Sequence, residues 1–163
     1  MGSGKSAVGR RLARELGLDF IDSDAEIERR TGVEISYIFE REGETRFRSR
    51  EAEILDELTQ RAGVVVATGG GAILDAASRE RLRSRGRVVY LRTTVDQQLS
   101  RTRRSTDRPL LNNPDPRGTL ARLMGVRAPL YEEVAAITVD TDGRKVKTVV
   151  DQIMRALGEQ PGA

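Results

Sequence analysis

The chain has 163 residues, 37% hydrophobic and 33% charged: enough for one domain around a single core, with no apolar run near the roughly 18 residues that cross a bilayer. It contains no cysteine and no histidine, which excludes disulfides, thiolate and imidazole metal sites; a general base must be a carboxylate, a lysine or a tyrosine. Its 28 basic and 25 acidic residues leave a formal charge of +3, and arginine, which carries most of the basic side, suits a small phosphate or carboxylate as well as a polynucleotide. From the N-terminus, Gly2-Ser3-Gly4-Lys5-Ser6 runs into an amphipathic helix expected over 5–16, with Val8, Leu12, Ala13 and Leu16 on one face. Further helices are expected over 24–30, 36–43, 44–61, 78–85, 95–103, 116–133 and 144–157. Short β-branched runs at 19–22, 64–68, 87–92 and 137–140 read as strands. Strands alternating with helices indicate an α/β domain whose parallel sheet is covered on both faces. Residues 105–118, with three prolines and two asparagines, read as a long loop of the kind that is functional or disordered. The absence of cysteine and of a signal-peptide pattern leads to the expectation of a cytoplasmic protein without membrane contact.

Five segments carry chemistry. A phosphate-binding loop has the form G-x-x-x-x-G-K-[ST], in which backbone N–H groups surround phosphate, the lysine reaches the terminal phosphates and the hydroxyl binds Mg²⁺. Gly4-Lys5-Ser6 supplies its second half, but the first glycine and the strand that should feed the loop would fall before Met1; a glycine-rich N-terminus with an incidental GKS is the alternative. Asp22 and Asp24 lie two apart at the end of a strand, where both can project from one face, and Asp24 could equally cap the following helix. Glu44, Arg48 and Glu51 share a helix face, as an exposed ion ladder or as a ligand-facing surface. Gly69-Gly70-Gly71 follows a strand, either as a plain turn or because backbone must approach a ligand closely. Arg101, Arg103, Arg104 and Arg108 form a charge run without an aromatic partner for base stacking.

Together these segments resemble shikimate kinase from Met1 to about Leu157. The resemblance is carried by GSGKS at Gly2–Ser6, Asp22-Ser23-Asp24, Ile38-Phe39, Gly43-Glu44, Phe47-Arg48, Gly69–Gly71, Arg108-Pro109-Leu110-Leu111 and Arg127-Ala128-Pro129-Leu130-Tyr131. It implies a three-layer α/β/α P-loop kinase fold in a single domain over 1–163, with a lid at about 105–118. The implied activity is ATP-dependent phosphorylation of the 3-hydroxyl of shikimate, on the route to chorismate and the aromatic amino acids. ATP and Mg²⁺ are the implied cofactors; the implied state is a monomer with no nucleic-acid partner. By the same resemblance Lys5, Asp24 and Arg108 are catalytic, with Asp24 the candidate base and Arg108 in the lid. Gly2, Ser3, Gly4, Lys5, Ser6, Ala7, Arg101, Arg108 and Arg144 would hold the nucleotide, the last of these and Arg101 flanking adenine. Ser6 would bind the metal directly and Asp22 through water. Asp24, Arg48, Gly69, Gly70, Gly71 and Arg127 would hold shikimate, with two guanidiniums on its carboxylate.

Three competing functions remain on the sequence: a gluconate-type hydroxy-acid kinase, a nucleoside monophosphate kinase, and an arginine-rich P-loop ATPase or RNA-binding module. The family's strand order 2-3-1-4-5 carries a structural expectation. With the first strand absent, a gap should open at the centre of the sheet, between the strands at 64–68 and 87–92. The expectation is that Met1 is an internal methionine, with the natural start about ten residues upstream.

Overall fold

A computed structural model describes residues 2–102 and 113–158. Seven helices and four strands alternate among them: α1 (Lys5–Leu16), β1 (Asp19–Asp22), α2 (Ser23–Thr31), α3 (Ile35–Thr59), β2 (Val64–Ala67), α4 (Ala76–Arg85), β3 (Val89–Arg92), α5 (Val95–Thr102), α6 (Pro116–Val134), β4 (Ile137–Asp140) and α7 (Val146–Gly158). A 3-10 turn over Ala72–Leu74 links β2 to α4. The expected helices at 36–43 and 44–61 are the two arms of α3, which meet at Gly43, where φ 81° and ψ 170° interrupt the helical backbone. Residues 116–118, placed at the end of the long loop, form the first turn of α6, with Asp115 as its cap and Pro116 at its start.

The strands form two separate parallel pairs. In one, Asp19–Asp22 lies beside Val64–Ala67; in the other, Val89–Arg92 lies beside Ile137–Asp140. Each pair has its own core. Val8 and Leu12 of α1 meet Leu91, Val139 and Ile153 on one side, while Ile27, Ile38, Phe47, Ile54 and Leu58 pack together on the other. Helix α1 spans the division, touching β1, β2 and α7. Gly9 lets it lie against Phe20, because a Cβ there would stand 2.6 Å from the ring.

Between β2 and β3 lies a cavity of about 410 Å³, walled by Val64, Val65, Val89 and Leu91 with Leu12 and Ile153 from the helices. This is the central gap expected from the family's strand order. It also explains why Val64–Val66, which read as a fully buried strand, are only half-buried: one edge of β2 has no neighbouring strand to cover it.

Candidate active site

The loop before α1 has left-handed backbone at Gly2 (φ 68°) and Gly4 (φ 87°), a conformation glycine adopts without steric penalty. No side chain caps α1, so its first N–H groups and the positive end of its dipole are available to an anion, with Lys5 and Ser6 in the first turn and Ala7 following. Two contacts hold this loop across the divided sheet. Ser6 Oγ donates to Asp22 Oδ2 at 2.7 Å, at the end of β1. Arg101 Nη1 donates to the Gly2 carbonyl at 2.9 Å while Nη2 donates to the Thr141 carbonyl at 3.1 Å, just past β4.

Strand β1 ends at Asp22, and Asp24 lies in the first turn of α2, so their proximity does not come from strand alternation as expected. The cap is Asp22, whose Oδ1 accepts from Asp24 N at 3.1 Å and Ala25 N at 3.5 Å. Asp24 is thereby relieved of the capping role that competed with a ligand-facing one. Its Oδ1 is buried with no hydrogen-bond partner, and burial together with the Asp22 charge pushes its pKa up, against the opposing pull of Lys5 and Arg48.

Arg48 makes the ion ladder that its helix-face spacing offered. Its Nη2 donates to Glu44 Oε1 at 2.9 Å and its Nη1 to Glu51 Oε2 at 2.6 Å, making the ladder, and its guanidinium lies 5.1 Å from the centre of the Phe47 ring. The ladder is not a surface feature at its far end, since Glu51 is 2% exposed. Burial raises the Glu51 pKa despite the ion pair with Arg48, and its Oε1 has no hydrogen-bond partner. Arg127 is also buried, with an unpartnered Nε. Two arginines and two carboxylates thus enclose one small region.

The glycine triplet is the wall of that region. A Cβ on Gly69 would collide with Glu51 Oε1 and stand 2.8 Å from Asp24 Oδ1; one on Gly71 would fall on the Arg48 guanidinium. Neither glycine has a left-handed φ, so close approach rather than backbone freedom demands them. Ser23 Oγ, 1% exposed, accepts from Gly69 N at 3.0 Å, and Tyr131 Oη donates to the Gly70 carbonyl at 2.6 Å.

The structure therefore brings together Lys5, Asp24, Arg48, Gly69–Gly71 and Arg127, and holds Ser6 against Asp22. Arg144 lies apart from this group: it donates to Gln152 at 2.5 Å, while its backbone N–H bonds the Thr141 carbonyl, beside Arg101. Arg108, with Arg103, Arg104 and most of the expected lid, lies outside the described residues. Glu51 and Tyr131 were missed as site residues from sequence. Glu51 looked like a ladder residue, and its i+3 spacing from Arg48 was the signal that could have placed it.

Hard oxygen donors at Ser6 and Asp22 fit a magnesium ion, which keeps several waters and takes one or two carboxylates with substrate phosphates. Among the described residues no group of three or more acidic side chains forms a protein-only metal cage, so phosphate oxygens would complete the coordination.

The sequence model of the family described as "Shikimate kinase" matches residues 1–158. The chain is 57% identical over 161 residues to the shikimate kinase of Halorhodospira halophila, covering 99% of this chain and 91% of that protein. To the shikimate kinase of Alteromonas mediterranea it is 54% identical over 158 residues, covering 97% and 92%. Among solved structures, shikimate kinase from Acinetobacter baumannii in complex with shikimate superposes with a TM-score of 0.94 at 50% identity, covering 96% of this chain and 88% of that one. Shikimate kinase from Aquifex aeolicus gives a TM-score of 0.84 at 36% identity, covering 97% and 92%.

Proposed function

The chain belongs to the shikimate kinase family and is an ATP-dependent phosphotransferase with an alcohol acceptor; on that premise we propose that it transfers the γ-phosphate of ATP to the 3-hydroxyl of shikimate, acting as a monomer in the cytoplasm. The observation that carries the acceptor site is the buried, unpartnered Asp24 Oδ1, set among Lys5, Arg48 and the glycine wall. An acceptor hydroxyl bonded to that oxygen would be oriented for in-line attack, and Asp24 would take its proton as the phosphoryl group leaves ADP. Arg48 and Arg127 would hold the acceptor's carboxylate, which favours an acid over a neutral polyol.

On the nucleotide side, the α1 N-terminus and Lys5 would receive the phosphates, with Arg101 and Arg144 toward adenine and Arg108 closing from the lid. Magnesium would be held by Ser6 and, through water, by Asp22, and would neutralise phosphate charge when bound. A coupled assay of ADP release with shikimate and with gluconate tests the acceptor. Turnover with shikimate and little with gluconate is expected; turnover on gluconate alone would replace shikimate by another hydroxy acid.

A further inference from the structure

We infer that Tyr131 is a positioning residue for phosphoryl transfer, its hydroxyl setting the orientation of the Gly70–Gly71 peptide beside Arg48. This rests on the acceptor site proposed above. Three consecutive glycines have no side chains to hold their backbone, and each explores both signs of φ readily, so the loop must be fixed by bonds from outside. The bonds are unequal in kind. The Gly69 and Gly71 carbonyls accept from Ala72 N at 3.3 Å and Leu74 N at 2.9 Å, within the 3-10 turn that follows them. The Gly70 carbonyl instead accepts from Tyr131 Oη, 61 residues along the chain.

That one bond controls the peptide plane. In a trans peptide the C=O and N–H point in opposite directions, so a carbonyl drawn toward Tyr131 turns the Gly71 N–H away from it. Gly71 is the residue against which the Arg48 guanidinium lies. The hydroxyl is itself well fixed. The Tyr131 ring stacks on the buried Tyr90, with centroids 5.0 Å apart and an interplanar angle of 27°. The charge of Arg127, one helical turn earlier on α6, favours the phenol's ionised form, against the larger effect of burial. Burial pushes the Tyr131 pKa up, which keeps the hydroxyl protonated and able to donate. A single phenol on α6 therefore holds the glycine wall that faces Arg48.

Tyr131→Phe removes the hydroxyl and keeps the ring and its stack. The expected result is a KM for shikimate raised about tenfold, the effect of one misdirected peptide and one lost hydrogen bond. The KM for ATP should stay near its original value, and the thermal midpoint should fall only by the few degrees that one lost hydrogen bond costs. Tyr90→Phe, which also keeps the stack, should leave both KM values unchanged. An unaltered shikimate KM in Tyr131→Phe, or a parallel loss of both substrates together with thermal stability, would overturn the positioning role. Arg48→Ala separates this from failure of the site itself: if that variant binds shikimate normally, the acceptor site is wrong and the role of Tyr131 falls with it. If only Arg48→Ala is defective, the site stands and the Tyr131 inference is refuted.

Discussion

Asp24 and Glu51 are buried carboxyls with raised pKa values, so their usefulness and their stability effects oppose one another. A carboxyl whose folded pKa lies above its unfolded value binds its proton more tightly in the folded protein. The stabilisation this gives is complete below the unfolded value, near 3.8 for Asp24, and is lost as pH rises through the folded value. Once pH has risen through the folded value, the charged Asp24 therefore weakens the fold that holds it. Asp24→Asn is expected nearly to abolish turnover, with ATP affinity held within a few-fold, while raising the thermal midpoint wherever pH lies above the folded value. The thermal gain should disappear at acid pH, where the aspartate is already neutral. Melting curves across pH check the stability arm; near-normal turnover would remove Asp24 from the base role. Arg48 makes the opposite case. Arg48→Ala deletes the partner of the buried Glu51, and calorimetric titration should show shikimate affinity reduced tenfold or more, as expected for a lost charge-assisted carboxylate contact. An unchanged dissociation constant would count against the clamp.

At the level of elements, the site depends on how α3, α6 and the turn after β2 are spaced. Phe47 and Ile54 bury the inner face of α3, which leaves Arg48 and Glu51 directed along the glycine wall. Phe39, on the arm before the Gly43 break, meets Phe47 at 4.7 Å and sets the angle between the arms. Gly71→Ala tests the spacing. Its methyl would collide with the guanidinium of Arg48, the far end of a flexible side chain, so the fold can accommodate it by moving Arg48 away. Because the displaced Arg48 leaves the buried Glu51 without its partner, the thermal midpoint should fall, and the KM for shikimate should rise tenfold or more with the KM for ATP unaffected. Loss of both substrates together in steady-state kinetics would show instead that the loop had collapsed.

Across the whole molecule, the nucleotide loop is suspended between two sheets that do not pair. Ser6 ties it to β1 through Asp22, and Arg101 ties Gly2 to the turn after β4. Between these anchors, β2 and β3 face each other across the apolar cavity with strand edges unpaired, an arrangement that leaves backbone groups and valine side chains without partners. A parallel apolar strand placed there and ending in glycine would run directly into Gly2. Placing such a strand in the cavity, by fusion ahead of Gly2, is therefore expected to raise the thermal midpoint, lower the KM for ATP and reduce binding of a hydrophobic dye. Identical melting and dye binding with and without the added strand would mean that the cavity closes by other means.

Much of this protein follows from local sequence. Valine-rich runs between arginine- and glutamate-rich amphipathic stretches suffice for alternating strands and helices, because periodicity and branching act over a few residues. The short segments around Gly4-Lys5-Ser6, Asp22, Arg48 and Gly69–Gly71 likewise carried the resemblance to the family, since each is a distinctive set of residue types at fixed spacing. What the chain order could not settle was which of two plausible duties each residue performs. Asp22, not Asp24, caps α2, and that depends on where β1 stops. Glu51 is a buried partner rather than a surface ladder rung, and the glycines are small because Arg48, Glu51 and Asp24 pass against them. Tyr131 reaches a carbonyl 61 residues away. These assignments depend on contacts between elements distant in the chain, so burial and reach, which only the packed structure defines, decided them.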